Sequence, residues 1–309
     1  MRRTLFAFLL VLLLTACGGT GAPYATFTTS SSATASATSS FPVTVTDFQG
    51  KSVTIAHRPD RIVSIGPSNT EFLFALGAGD RVVGVDDFSD EPAAATTKEK
   101  VGGVKVNLEK IVSLHPDLVV SVKISDGTLE KLAAQSLTVL VVDPIGLADV
   151  AKTATLLGRA VGGDGAGLAS SIQKDLDEVR AKVATAKKKR VFHEIDASDP
   201  TKPFTVGPGS FVHDLIELAG GINVAASTSS PYPQISAEEI VRADPEVIVL
   251  ADAAYGVSIE QVSARAGWGS ITAVRTRRIV PVDPNLVSRP GPRVAEAAKL
   301  YLRIVMETP

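Results

Sequence analysis

The chain of 309 residues predicts an α/β protein: two Rossmann-like lobes with parallel central sheets, joined by one long backbone helix. Three observations carry this reading. Short aliphatic runs, Arg61-Ile-Val-Ser-Ile65, Val82 to Val85, Asp117 to Val122 and Thr138 to Val142, alternate with helical patterns, which is the order of a parallel sheet covered on both faces. The same order restarts in the second half. Between the halves Leu168, Ile172, Leu176, Val179 and Val183 recur at helical spacing and form one apolar stripe.

The elements follow in chain order. Arg2 and Arg3 precede an apolar run from Leu5 to Leu14, which ends in Thr15-Ala16-Cys17-Gly18. A basic start, a short apolar core and small exit residues make a secretory signal peptide. The run is about half the length a membrane-spanning helix needs. Cys17 is the only cysteine, so the monomer has no disulfide framework. From Thr26 to Ser40 the chain is nearly all Ser, Thr and Ala without charge. Such a tract buries too little apolar surface to offset its ordering entropy and reads as a tether reaching roughly 25 Å on average. The expected organisation is a leader over 1–16, Cys17 and tether over 17–40, a first lobe over 41–148, connecting helices over 149–189 and a second lobe over 190–309.

In the first lobe Ser68-Asn-Thr-Glu71 has the spacing of a capping box, predicting a helix from Asn69 to Leu76 that stops at Gly77-Ala-Gly79. Asn107 reads as the N-cap of a helix from Leu108 to Leu114, with Pro116 beyond it. The segment Asn107 to Val122 aligns without a gap on Ser236 to Ala251: Glu109 falls on Glu238, Ile111 on Ile240, His115 on Asp244 and Pro116 on Pro245. Arg61 falls on Arg190 at the same offset. This predicts two lobes of similar topology. Lys187-Lys-Lys-Arg190 closes the connecting helix, where cations suit the negative end of its dipole.

Composition and motifs narrow the function. With 31 Lys and Arg against 33 acids, nothing indicates a nucleic-acid partner. No G-x-S-x-G elbow, H-E-x-x-H or Walker A loop is present, so no enzyme is expected. The four histidines, His57, His115, His193 and His213, do not make a metal site by their spacing. His115 and His193 read as structural, and His213 is the one candidate axial ligand. No cofactor is expected.

Arg58-Pro-Asp-Arg-Ile-Val-Ser-Ile65, Pro67-Ser-Asn-Thr-Glu71, Gly77-Ala-Gly-Asp-Arg-Val-Val-Gly84, Asn107-Leu-Glu-Lys-Ile-Val112 with Pro116-Asp-Leu118, and Pro231-Tyr-Pro-Gln-Ile-Ser236 together resemble the helical-backbone class of periplasmic binding proteins. These serve cobalamin, siderophore and haem importers, and the chain resembles the vitamin B12-binding members in particular. Leu14-Thr-Ala-Cys17 resembles the bacterial lipobox, which implies lipid on Cys17 and an extracytoplasmic protein anchored to the cell membrane. The resemblance implies a corrinoid held between the lobes, a permease dimer with a separate ATPase as partner, and docking through Glu109 and Glu238. Phe88, Phe204 and Tyr232 resemble cleft aromatics. Val104-Lys-Val106 stands where those relatives have an aromatic, and Asp283 to Ser288 lacks their tryptophan and acid, leaving Asn285 and Ser288 as hydrogen-bonding candidates. Haem or a ferric siderophore is the alternative ligand. A lipid-anchored adhesin or cell-wall protein is the alternative class; it would show a flat surface.

Overall fold

Ile62–Ile65, Leu118–Ser121 and Val247–Leu250 are buried along their whole length, as strands inside a sheet covered on both faces must be. In a computed structural model that describes residues 40–306, they form the centres of two sheets. The leader, Cys17 and nearly all of the tether lie outside the described residues.

A hairpin of β1 (Val43–Thr46) and β2 (Ser52–Ile55) opens the body. Then come β3 (Ile62–Ile65), α1 (Pro67–Ala75), β4 (Val82–Val85), β5 (Glu99–Lys100), α2 (Leu108–Ser113), β6 (Leu118–Ser121), α3 (Thr128–Ala134) and β7 (Val139–Val141). Two helices follow, α4 (Leu147–Val161) and α5 (Gly165–Val183). The second lobe contains β8 (Lys189–Asp196), β9 (Phe204–Thr205), α6 (Phe211–Leu218), β10 (Gly221–Asn223), α7 (Ala237–Ala243), β11 (Val247–Leu250), α8 (Ile259–Ser263), α9 (Thr272–Arg275), β12 (Ile279–Pro281), α10 (Pro284–Val287) and α11 (Val294–Met306).

The first sheet is parallel with order β5-β4-β3-β6-β7. The second has order β10-β8-β11-β12, also parallel, with β9 added antiparallel to β8. The run β4-β3-β6-β7 thus maps onto β10-β8-β11-β12. The repeat extends to single side chains. Arg61 donates from Nε to the carbonyls of Leu114 and His115, and Arg190 does the same to Ala243 and Asp244. His115 and Asp244 both take left-handed backbone, φ 47° and 45°. His115 is a helix-terminating residue, as its alignment with Asp244 suggests.

One local expectation changes. Helix α1 begins at Pro67, after Gly66 at φ 112°, so Ser68 and Glu71 lie inside it and no capping box forms. The connecting helices over 149–189 are α4, which Gly162 in left-handed conformation ends, and the long α5, which Asp164 starts by accepting from Gly167 N at 2.9 Å. The expected stripe is on α5, with Ile172, Leu176 and Val179 buried. Helices α4 and α5 contribute Leu157, Val161, Ile172 and Leu176 to one apolar cluster that also takes in Ile62 and Leu118 of the first lobe and Val191 and Leu215 of the second. Each such side chain contributes roughly 1.5–3 kcal/mol on burial. A shared core of this kind resists large lobe rotations.

Candidate functional site

Parallel sheets place ligands beyond the carboxyl ends of their strands, where loops can vary without disturbing the core. Among the described residues, large exposed apolar side chains concentrate on those loops: Phe88 after β4, Val104 after β5, Ile145 after β7, Tyr255 after β11, and Phe204 and Tyr232 in the segments beyond β8. Val104 is 93% exposed and Tyr255 76%. Singly such residues are ordinary; here they gather at the carboxyl ends of the strands of both sheets.

Phe88 is held by its neighbours. Buried Asp86 accepts from Gly66 N (2.8 Å), Ser89 Oγ (2.6 Å) and Phe88 N (2.9 Å), and Lys100 Nζ donates to the carbonyls of Asp86 and Ser89. Phe204 and Tyr232 are brought together by backbone pairing. Thr205 N donates to Pro233 O and Gly207 N to Pro231 O, both at 2.9 Å, and Phe204 bridges Gln234. The backbone segments that carry the two aromatics are therefore joined.

The strand-end loops of the two lobes meet. Asn285 Nδ2 donates to Asp90 Oδ2 at 3.1 Å, and Arg289 and Arg293 reach Glu71 and Asp90. Leu147 N, which leads α4, donates to Asp214 Oδ2 on α6 at 2.9 Å. Of the two polar residues expected to face ligand, Asn285 hydrogen-bonds the opposite lobe through its side-chain amide and Ser288 is exposed. Burial alone would raise the Asp90 carboxyl, but the Arg289 hydrogen bond and charge outweigh it and hold it below the usual carboxylate range.

The two matched acids stand as their sequence positions suggest. Glu109 is the second residue of α2, whose N-cap Asn107 accepts from Lys110 N at 3.0 Å. Glu238 is the second residue of α7, capped by Ser236, which accepts from Glu239 N at 3.2 Å. Both are exposed, and neither makes an ion pair among the described residues.

The histidines are dispersed. His57 and His115 are exposed, and His193 is buried against Tyr301, 2.7 Å from its hydroxyl. His213 is half-buried with Nδ1 3.0 Å from Asn223 Nδ2. Among the described residues no group of three or more His, Cys, Asp or Glu is placed to hold a metal, and no helix is long and apolar enough to cross a membrane.

Sequence reasoning missed three features of this region. Tyr255 and Ile145 lie on loops after β11 and β7, and the strand-end rule applied to every strand would have found both. The Glu71–Arg293 pair spans 222 positions and leaves no local pattern. A groove of about 780 Å³ lies elsewhere, along α4 and α5 beside Ala151, Ala169 and Gln173; it carries none of the expected ligand residues.

Two α/β lobes on a helical spine, with exposed apolar side chains at the strand ends of both, define a two-lobed binding protein of the helical-backbone class. The chain belongs to the periplasmic binding protein family, whose model matches residues 62–286. It is 38% identical over 269 residues to an uncharacterized ABC transporter substrate-binding lipoprotein, YvrC, of Bacillus subtilis, covering 84% of each chain. It is 33% identical over 282 residues to a cobalamin-binding protein of Halobacterium salinarum, covering 83% of this chain and 72% of that one. Among solved structures it resembles the periplasmic heme-binding protein BhuT in complex with two hemes, with TM-score 0.72 and 27% identity over 79% of this chain and 97% of that one.

Proposed function

We propose that this chain is the extracytoplasmic substrate-binding protein of an ABC importer, anchored by lipid on Cys17, and that it carries a corrinoid to its permease. The observation that carries the reading is the gathering of Phe88, Phe204, Tyr232 and Tyr255 at the strand ends of both lobes. A corrin is broad, largely apolar and edged with amides, so aromatic faces with few charges suit it. The cobalamin-binding relative supports that ligand, and the lipoprotein relative supports the anchor. The haem-binding neighbour supports the second reading.

Calorimetry with cyanocobalamin, cobinamide, haemin and a ferric siderophore tests the choice; the proposal expects saturable binding of the corrinoids alone. Binding of haemin but neither corrinoid would move the assignment to haem. Tyr232→Ala and Phe204→Ala should each weaken corrinoid binding by about 1 kcal/mol beyond the area lost, with unchanged unfolding midpoints. Unaltered affinity in both would place the ligand elsewhere.

Glu109 and Glu238 are proposed as the two contacts to a two-fold permease. Exposed acids on equivalent helices suit a symmetric pair of basic pockets, and rim charges govern encounter and orientation. The double replacement by Lys should abolish uptake while ligand affinity holds, and stability should shift by under about 0.5 kcal/mol. Normal uptake by the double variant would leave these acids with a helix-dipole role only.

A further inference from the structure

At one end of the cleft the lobes are tied by charges. Glu71 is a carboxylate on α1 with only 3% of its surface exposed. Arg293 grips it with both arms, Nε to Oε2 at 2.9 Å and Nη2 to Oε1 at 2.7 Å. Arg289 Nη1 lies 3.5 Å from Glu71 Oε1 and 2.6 Å from Asp90 Oδ1. Its Nη2 donates to the carbonyl of Phe88 at 3.2 Å. Asn285 adds the bond to Asp90. Every donor comes from the segment between β12 and α11, and every acceptor from α1 or the loop after β4. Gly291 belongs to the fit: a Cβ there would sit 3.0 Å from Glu71 Oε2.

Such a pair has little room to slide. A bidentate arginine–carboxylate contact fixes direction as well as distance. Opening the lobes here would strand a buried carboxylate, which is costly without its partner. The core shared through α4 and α5 restrains the lobes elsewhere, so this contact adds the restraint at the β4–β12 end. Arg289 also joins the clasp to the cleft, because the carbonyl it holds is that of Phe88.

We infer that Glu71 and Asp90 with Arg289 and Arg293 form an interlobe clasp that fixes the aperture of the cleft, and that Arg289 is a positioning residue for Phe88. The part that concerns bound ligand rests on the proposed function; the part that concerns aperture does not. Loss of the clasp should let the lobes sample wider openings and release ligand sooner. Affinity differences within one interface arise mostly in the off-rate.

The test uses the full chain carrying Cys17→Ser, with spin labels at Glu109→Cys and Glu238→Cys, and pulsed electron resonance as the ruler. With the clasp intact, one narrow distance distribution is expected. Glu71→Gln, which keeps the shape and removes the charge, should broaden it. Asp90→Asn should do so to a lesser degree; its side chain is 47% exposed, so this variant serves if the first does not fold. In stopped flow without labels, cyanocobalamin should leave Glu71→Gln about tenfold faster, equal to 1.4 kcal/mol, with a smaller change in association. Arg289→Lys should retain the aperture better than Arg289→Gln. A broad distribution in the parent, or narrow and unshifted distributions in both acid variants at native unfolding midpoints, would overturn the clasp. Broadening in the acid variants together with no cobalamin binding by the parent would uphold the clasp and defeat the corrinoid reading instead.

Discussion

Arg265→Ala is expected to cost about 3–5 kcal/mol of stability, read as a lowered denaturant midpoint at neutral pH. Glu194 on β8 is fully buried, and Arg265 neutralises it with two contacts, Nη1 to Oε2 at 2.5 Å and Nη2 to Oε1 at 2.8 Å. Arg265 also lies 4.6 Å from the Trp268 ring centroid, so the substitution removes packing as well as charge. Asp252 stands close by with both carboxyl oxygens buried and unpartnered, and the charge of Glu194 is one cause of its raised pKa. Arg265→Lys should recover only part of the loss, since a point charge does not replace a planar fork. Glu194→Leu combined with Arg265→Met should recover most of it, because apolar groups of similar volume carry no desolvation cost. A loss under about 1 kcal/mol for Arg265→Ala would mean that water reaches Glu194 once the guanidinium is gone.

What the chain discloses about itself is its local logic. The cap at Asn107, the helix it opens, Pro116 and the strand beyond are adjacent in sequence, and the copy from Ser236 to Ala251 repeats them. The lobes and their kinship were therefore legible, down to Arg61 and Arg190 closing equivalent turns. Phe88, Phe204 and Tyr232 were legible as exposed aromatics beyond the strands, because strand ends locate loops. The start of the long connecting helix was also written locally, in Gly162-Gly163-Asp164 ahead of the apolar stripe. Glu71 shows the opposite case. Its spacing from Ser68 imitates a capping box, yet Gly66 turns the chain early and puts both residues inside the helix. The side chain then answers to arginines more than 200 positions away. Long-range charge pairs of this sort have no period and no motif, and only the folded chain brings them together.

Two buried groups in the second lobe should make stability respond to pH in opposite directions. His193 is fully buried, and burial pushes its pKa from 6.5 down to about 3. Tyr301 Oη lies 2.7 Å from Nδ1, and Nε2 has no partner. The unfolded chain binds a proton near pH 6.5 and the folded chain does not until about pH 3. The stability from His193 is thus complete above about 6.5 and is lost as pH falls through that window, by up to about 1.4 kcal/mol per pH unit. Asp252 has the reverse sign. Burial, and then the charge of Glu194, push its carboxyl up to about 7, so the folded chain keeps a proton that the unfolded chain releases near 3.9. Its contribution is complete below about 3.9 and is lost as pH rises toward 7. Between about pH 4 and 6.5 the two slopes oppose each other, and the native profile should be nearly flat in this respect. His193→Gln should uncover a stability that falls with rising pH, and Asp252→Asn one that rises. From pH 4.5 to 6.5 the two variants should diverge by about 2–3 kcal/mol each from the parent profile. Guanidinium titrations at the two pH values measure this directly. Parallel slopes in the two variants would show that neither group changes its protonation on folding as its burial requires.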